Sequence, residues 1–139
     1  MFLLDTHAWI WFSNDDGSRL GRRAKQAVAQ AQRNNELRIS PASVFEVASL
    51  HTHGRLRFSL PPERWVADAL SVPGLRIAAL TTDVALDAGQ IPSTALADPI
   101  DRLLVATARH LDAILMTADR RILEYANNSR HLRVQDAGR

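Results

Sequence analysis

The sequence contains no cysteine, and Lys25 is its only lysine. Without cysteine there are no disulfides, no thiolate metal sites and no cysteine nucleophiles, which suits a reducing cytosol. No stretch approaches the roughly 20 uninterrupted apolar residues that a membrane-spanning helix requires. The apolar first twelve residues lack a basic leading segment and are interrupted by Asp5 and His7, unlike an export signal. We therefore expect a cytoplasmic protein with no membrane association.

The 139 residues also lack internal repeats, low-complexity tracts and a linker, so we expect one domain, residues 1–139. A domain of this length buries roughly two thirds of the surface that its unfolded chain exposes, so it needs no covalent staple. Arginine supplies sixteen of the seventeen basic residues, and its planar fork binds phosphate oxygens well. The formal net charge is only +2, but it becomes +6 if four acids are committed to a metal site. A basic surface around an acidic hollow suits hydrolysis of a polyanion.

Apolar runs that fit buried strands alternate with segments of helical periodicity along the chain. This alternation predicts an α/β fold with a central, mainly parallel β-sheet, flanked by helices and joined by right-handed crossovers. The predicted strands span residues 1–4, 37–40, 75–80, 113–117 and 132–134, and the predicted helices span 18–35, 41–53, 61–70, 82–90, 99–111 and 120–126.

Several predicted helices carry start or stop signals. Ser40 and Asp98 each precede a proline, the combination of a capping side chain with proline at the first helical position. Gly54 marks the end of the helix that begins after Ser40, and Thr82 is expected to cap the helix over 82–90.

Five acidic residues are expected near one edge of this sheet. In open parallel α/β sheets, ligands bind beyond the carboxyl ends of the strands, where loops and helix N-termini converge. Asp5 ends the first strand, and Asp119 lies two residues after the fourth. Asp98 and Asp101 begin the helix before the fourth strand, and Glu46 lies in the second turn of the helix after the second strand. These positions predict a carboxylate cluster.

Purely structural roles remain open for three of these acids. Asp98 is explained equally well as a helix N-cap before Pro99 and as a metal ligand. Asp101 has an alternative role in favouring the helix dipole or pairing with Arg102, and Asp119 has one as a turn residue.

Asp5 and Glu46 are harder to explain without a ligand. An aspartate directly after a buried strand is costly unless it is paired or bound to a metal. Glu46 has small and apolar neighbours at helical spacings and no basic partner among them. Hard divalent cations prefer oxygen ligands and relieve the repulsion between clustered carboxylates. We therefore expect the acids to hold Mg²⁺ or Mn²⁺.

The ordered set of motifs resembles the PIN domain family over nearly the whole chain, and within that family it is most similar to VapC-type toxins. The resemblance implies metal-dependent cleavage of single-stranded RNA at selected sites, with Asp5, Glu46 and Asp101 as core acids and Asp119 as the fourth. Asp98 stays ambiguous, because two aspartates stand here where many relatives have one. The motifs are Asp5 in Leu-Leu-Asp-Thr-His-Ala, Glu46 in Ser-Val-Phe-Glu-Val-Ala, Asp98 and Asp101 in Asp-Pro-Ile-Asp-Arg-Leu-Leu-Val-Ala-Thr-Ala, and Thr117-Ala-Asp119.

The mechanism implied by the resemblance is phosphodiester hydrolysis by metal-activated water, without a covalent intermediate. Ser43 and Thr117 are candidates for orienting a phosphate or a ligand carboxylate. The arginines nearest the acids in sequence are candidates for binding the RNA backbone; they are Arg102, Arg109, Arg120 and Arg121.

The resemblance also implies partners, namely a cognate VapB-type antitoxin whose C-terminal segment docks on the toxin, and a second copy in a homodimer. Four consecutive large apolar residues, 9–12, cannot all face inward from one helical turn, so some of them are expected in a groove or an interface. Packing of all four inside the chain is the alternative. The helix over 18–35 and the segment near Trp65 are other candidates for the interface.

Other function classes fit the sequence less well. An aspartate-nucleophile phosphatase needs a second acid two residues after the first, where this chain has His7, and a receiver-like regulator needs a lysine near the last strand. A zinc peptidase is excluded, because there is no His-Glu-x-x-His motif and His51 and His53 project from different faces of a helix. A non-catalytic RNA-binding or regulatory module of the same fold remains the alternative to an enzyme.

Overall fold

A computed structural model describes residues 1–14, 19–129 and 131–139 of the chain. Its strands form one five-stranded sheet in which every neighbouring pair is parallel. The predicted central, mainly parallel sheet is confirmed. The strands are β1 (Phe2–Leu4), β2 (Leu37–Ile39), β3 (Leu75–Ile77), β4 (Ile114–Thr117) and β5 (Arg133–Asp136).

Helices flank the sheet, as the alternating pattern predicted. Among the described residues, no helix has the length and apolar character needed to cross a bilayer. The helices are α1 (Thr6–Ser13), α2 (Arg22–Arg33), α3 (Pro41–Thr52), α4 (Pro62–Leu70), α5 (Thr82–Gln90), α6 (Pro99–Leu111) and α7 (Arg120–Asn127).

Each face of the sheet has its own apolar core, because side chains alternate between the two faces along a strand. Leu3 of β1 packs with residues of α6 and α7, whereas Leu4 packs with residues of α1 to α4. The same division holds in β4, where Leu115 and Met116 lie in different cores. All four side chains are completely buried. The helices therefore cover both faces, as a parallel sheet requires.

The two predicted combinations of a cap with proline are confirmed. Ser40 Oγ accepts the backbone N–H of Ala42 at 3.0 Å, and Asp98 Oδ1 accepts that of Ile100 at 2.7 Å. Gly54, with a φ of +73°, lies just beyond the end of α3 and turns the chain through a conformation that favours glycine.

The helix predicted over 18–35 is shorter at both ends, and Ser18 lies outside the described residues. Its N-cap is Gly21, whose backbone N–H donates to the carbonyl oxygen of Ala137 at 2.9 Å. A Cβ on Gly21 would lie 2.1 Å from the carbonyl carbon of Arg139. The start of α2 is therefore set by contact with residues 137–139, which are remote in sequence.

The end of one strand and the cap of one helix also differ from the prediction. The strand predicted over 75–80 ends at Ile77, because Ile39 is the last residue of β2 with which it can pair. The helix expected to be capped by Thr82 includes that residue, and its cap is Thr81, whose hydroxyl accepts a backbone N–H of the first turn at 3.2 Å.

The four consecutive large apolar residues of α1 divide into two pairs. Trp9 and Ile10 are buried, and Trp9 packs edge-on against Trp65 with ring centroids 5.0 Å apart. Trp11 and Phe12 are half-buried and line an apolar groove of about 210 Å³ between α1 and α2. The expectation that some of the four face a groove is confirmed. Trp65, in contrast, is buried in the core and is not available to a partner.

The strand order β3-β2-β1-β4-β5 fixes where a ligand can bind. The chain runs outward from β1 through β2 to β3 and then returns to the other side of β1 with β4. Crossovers on either side of β1 thus leave a crevice beyond the carboxyl ends of β1 and β4. Leu4 pairs with Met116 in the register of these strands, so the residues that follow both strands lie side by side.

Candidate active site

A cavity of about 390 Å³ occupies this crevice. Its wall includes every acidic residue that the sequence singled out, so the structure brings together side chains from four separate segments of the chain. These acids are Asp5, Glu46, Asp98, Asp101 and Asp119.

Asp5 is held rigidly at the end of β1. It is the N-cap of α1, where its Oδ1 accepts the backbone N–H of Ala8 at 2.8 Å. The Thr117 hydroxyl donates to Asp5 Oδ2 at 2.5 Å. Burial, which leaves 6% of the residue exposed, raises the pKa of Asp5 to about 6, although both hydrogen bonds oppose the rise. A buried carboxylate with a raised pKa is typical of a functional site.

Asp101 is the electrostatic centre of the cavity. It lies in the first turn of α6 and is largely buried. Burial is the main cause that raises the pKa of Asp101 to about 7, followed by the negative charges of Asp98, Asp119, Glu46 and Asp5 in that order. A single added proton or a bound cation would relieve all four repulsions at once.

Asp98 and Asp119 both cap helices that begin at the cavity. Besides the bond to Ile100, Asp98 Oδ1 lies 3.4 Å from the backbone nitrogen of Asp101. Asp119 Oδ1 caps α7 by accepting the backbone N–H of Arg121 at 2.8 Å. The capping role considered for Asp98 is thus confirmed, and the turn considered for Asp119 is a helix cap. Both side chains line the cavity nonetheless.

Glu46 shares with Asp101, but not with Asp5, Asp98 and Asp119, that no hydrogen bond or ion pair among the described residues holds its carboxylate. It is half-buried on α3. A half-buried carboxylate without a partner is costly, so its position on the cavity wall favours a ligand outside the chain.

The Thr117 hydroxyl connects two parts of the site. It donates to the Asp5 carboxylate and accepts the backbone N–H of Asp119 at 3.0 Å. Ser43, the other hydroxyl singled out in the sequence, accepts a hydrogen bond from Thr6 at 3.1 Å rather than contacting a carboxylate.

Replacing Thr117 by valine is expected to lower the free energy of unfolding by about 1–3 kcal/mol, because it leaves the half-buried Asp119 N–H and one buried Asp5 oxygen without partners. The matched control is Thr107→Val, since this buried hydroxyl only donates within its own helix, to the Leu103 carbonyl oxygen. Urea denaturation measures both variants. Equal losses of stability in the two variants would show that the Thr117 hydroxyl, which links Asp5 to Asp119, contributes no more than the Thr107 hydroxyl does.

The arginines at the cavity differ from those expected. Of the four candidates only Arg121 lines the cavity, where its Nε lies 3.5 Å from Asp119 Oδ1. Arg109 instead lies near the far end of α6 and pairs with Asp87 at 3.5 Å. Arg102 and Arg120 are likewise absent from the wall. Arg55 also lines the cavity, although the sequence does not single it out.

The position of Arg55 follows from the left-handed turn at Gly54. That turn folds the chain back at the end of α3, so that the Arg55 N–H donates to the Leu50 carbonyl oxygen at 2.8 Å. Leu50 and Arg55 then lie on the same wall as Glu46. The glycine was visible in the sequence as a helix stop, but the direction of the chain after it was not.

The donor set of the cavity fits a hard divalent cation, because its acidic side chains are all carboxylates and two of them, Glu46 and Asp101, lack a partner among the described residues. Within residues 1–14, 19–129 and 131–139, however, no three acidic or histidine side chains converge closely enough to enclose a metal by themselves. Mg²⁺ is commonly bound through one or two carboxylates and keeps several waters that a substrate phosphate can replace.

The fold and the acid-lined crevice define an α/β domain of the nuclease type, and residues 2–128 match the PIN domain. The chain belongs to the PIN domain family, as the sequence motifs predicted. Within that family it is a homologue of the VapC-type ribonucleases: it is 35% identical over 120 residues to Ribonuclease VapC22 of Mycobacterium tuberculosis, covering 86% of this chain and 88% of the relative.

Solved structures of toxin–antitoxin systems share the fold. VapBC2 from Rickettsia felis, bound to a DNA fragment from its promoter, superposes with a TM-score of 0.69 at 14% identity, covering 96% of both chains. FitAcB from Neisseria gonorrhoeae superposes with a TM-score of 0.63 at 20% identity, covering 99% of this chain and 98% of the other. At these identities the likeness concerns the fold.

Proposed function

We propose that this protein is a divalent-metal-dependent endoribonuclease and the toxin of a type II toxin–antitoxin pair. Asp5, Glu46, Asp101 and Asp119 hold Mg²⁺ or Mn²⁺, and Asp98 contributes as cap and as a further acid. One observation carries the proposal: carboxylates from four segments line one cavity, and their combined charge together with burial raises the pKa of Asp101 to about 7.

The metal, when bound, supplies a water of lowered pKa and stabilises the charge on the leaving oxygen. The residues of the chain hold the carboxylates in place and balance the charge of the phosphates. Asp5 is fixed by the Ala8 N–H and the Thr117 hydroxyl, so its carboxylate needs little reorganisation to act as a ligand. Arg55 and Arg121, at the rim, neutralise phosphates that flank the bond to be cut.

An antitoxin partner is supported by the structural neighbours, which include a toxin–antitoxin complex from Klebsiella pneumoniae and VapBC from Salmonella typhimurium. The groove between α1 and α2 offers Trp11 and Phe12 as apolar surface that an antitoxin segment would cover. Phe45 and Leu86 are 66% and 60% exposed and supply further apolar area for a homodimer. A cytoplasmic location follows from these partners and from the RNA substrate.

The proposal is tested by incubating the purified protein with a pool of cellular RNAs and mapping new ends. We expect discrete cleavage with Mg²⁺ or Mn²⁺, none with a chelator, and a loss of about 10²-fold or more in Glu46→Gln. Glu63→Gln is the matched control, because Glu63 is exposed in the first turn of α4 and absent from the cavity.

Cleavage that persists in the chelator, or that Glu46→Gln retains in full, would contradict the metal mechanism. RNA binding without any cleavage in the wild-type protein would instead support the non-catalytic module of the same fold. The two results are separated by measuring binding and cleavage on the same RNA.

A further inference from the structure

The face of α1 that is turned toward the cavity carries two aromatic rings. His7 and Trp11 are four residues apart, so they project from the same side of the helix, and both line the cavity beside the acids. The opposite side of α1, with Ala8 and Trp9, is completely buried in the core. Asp5, the cap of this same helix, therefore fixes the rings relative to the carboxylates.

The two rings are arranged as a wall rather than as a closed stack. Their centroids are 6.4 Å apart and their planes are inclined by 55°. His7 is exposed and Trp11 is half-buried, and the guanidinium carbon of Arg19 lies 6.0 Å from the Trp11 ring centroid.

The other aromatic contacts of this region serve the core. Trp9 packs on Trp65 at 5.0 Å, Phe58 stacks on Trp65 at 4.6 Å, and His51 stacks on Phe58 at 5.6 Å. In the described residues, the pair formed by His7 and Trp11 is the only ring pair on the cavity wall.

We propose that His7 and Trp11 form a stacking wall for an unpaired nucleobase next to the phosphodiester that is cut. The proposal rests on the proposed ribonuclease function and adds to it a position for one base beside the carboxylates. The rings follow Asp5 by two and six residues, which is about 3 and 9 Å along the helix axis. A base in a duplex is stacked on its neighbours and offers no free face to such a wall.

A protein occupant of the same surface is the competing explanation. Trp11 also lines the groove between α1 and α2, together with Phe12, and Phe12 does not line the acidic cavity. A variant at Phe12 thus disturbs the groove alone, whereas a variant at Trp11 disturbs both surfaces.

The test is a double-mutant cycle between the indole and the base. Equilibrium binding of a fluorescein-labelled RNA oligonucleotide, chosen from the mapped cleavage sites, is measured with Mg²⁺ in a Glu46→Gln background by fluorescence anisotropy. The protein carries Trp11, Trp11→Leu, Trp11→Phe or the control Phe12→Leu. The RNA is intact or abasic at one of the two nucleotides that flank the cleaved bond.

We expect Trp11→Leu to weaken binding of intact RNA by about 5- to 150-fold, the range for one stacked base, and Trp11→Phe to retain most of the affinity. RNA that is abasic at the stacked position should bind the Trp11 protein and the Trp11→Leu variant equally, because the stacked partner is already gone. In the otherwise wild-type enzyme, Trp11→Leu should raise KM more than it lowers kcat. Phe12→Leu should bind RNA normally.

The proposal is overturned if both abasic RNAs bind the Trp11 protein as tightly as intact RNA, a comparison that needs no folded variant. It is also overturned if Trp11→Leu loses the same factor with intact and abasic RNA, or if Phe12→Leu has an equal effect, which points to a protein surface. Absence of cleavage by the wild type would refute the ribonuclease function alone. The binding cycle is then run on a single-stranded RNA that the protein binds, with the abasic position moved along the strand.

Discussion

Replacing Asp101 by asparagine is expected to lower metal-dependent RNA cleavage by ~10²–10³-fold, while the protein stays folded. Asp101 is largely buried at the centre of the cavity, and every other acid on the wall acts on its charge. Asparagine keeps the shape of the side chain but removes the negative charge that a cation would neutralise. Initial cleavage rates at saturating Mg²⁺, with circular dichroism to verify folding, measure the effect.

The controls separate a metal ligand from a helix cap. Asp98→Asn keeps the cap, because asparagine caps helices about as well as aspartate, so it should lose less activity than Asp101→Asn. Asp83→Asn changes an exposed acid in the first turn of α5, outside the cavity, and should leave the rate unchanged. Equal rates for the Asp98 and Asp101 variants would contradict the ranking of these two acids.

Asp101→Asn is also expected to stabilise the protein at neutral and higher pH when a chelator is present. The pKa of Asp101 is raised from 3.8 to about 7 in the folded state, mainly by burial. The folded protein therefore binds this proton more tightly than the unfolded chain does, and stability declines as pH rises from about 4 to about 7. Asp101→Asn removes that decline, so its Tm should exceed that of the wild type by about 5 °C or more above pH 7 and match it near pH 4.

Thermal melts of both proteins at several pH values in this range, with EDTA or with Mn²⁺, measure the difference. Mn²⁺ should raise the wild-type Tm more at about pH 8 than at about pH 5, because the ligands must lose their protons to bind metal. Asp101→Asn should respond little to the ion. A difference in Tm between the two proteins that stays constant across the pH range would refute the assigned role of Asp101.

The local signals of the sequence were sufficient for most of the fold. A capping side chain followed by proline located the starts of α3 and α6, and the apolar runs located the strands. The boundaries that failed depend on contacts remote in sequence. β3 ends at Ile77 because Ile39 is the last residue of β2 that pairs with it. α2 starts at Arg22 because residues 137–139 pack on Gly21. No local pattern carries that information.

The acids of the site were predictable for a general reason, since parallel strands bring the residues that follow them to one edge. The basic and aromatic residues were not. Nearness in sequence to an acid suggested Arg109, but α6 carries it away from the cavity toward Asp87. Arg55, distant from every aspartate in sequence, reaches the wall through the turn at Gly54. The sequence indicates Trp11 only as apolar surface, because no local pattern shows that His7 and Trp11 line one wall of the cavity.

The pairing of β1 with β4 joins Asp5 to Thr117 across 112 positions of the chain. During synthesis, the first strand and its carboxylate leave the ribosome long before the strand that completes the crevice. A nascent chain therefore has no complete acidic cavity until residue 119 has emerged and β4 has added to the sheet.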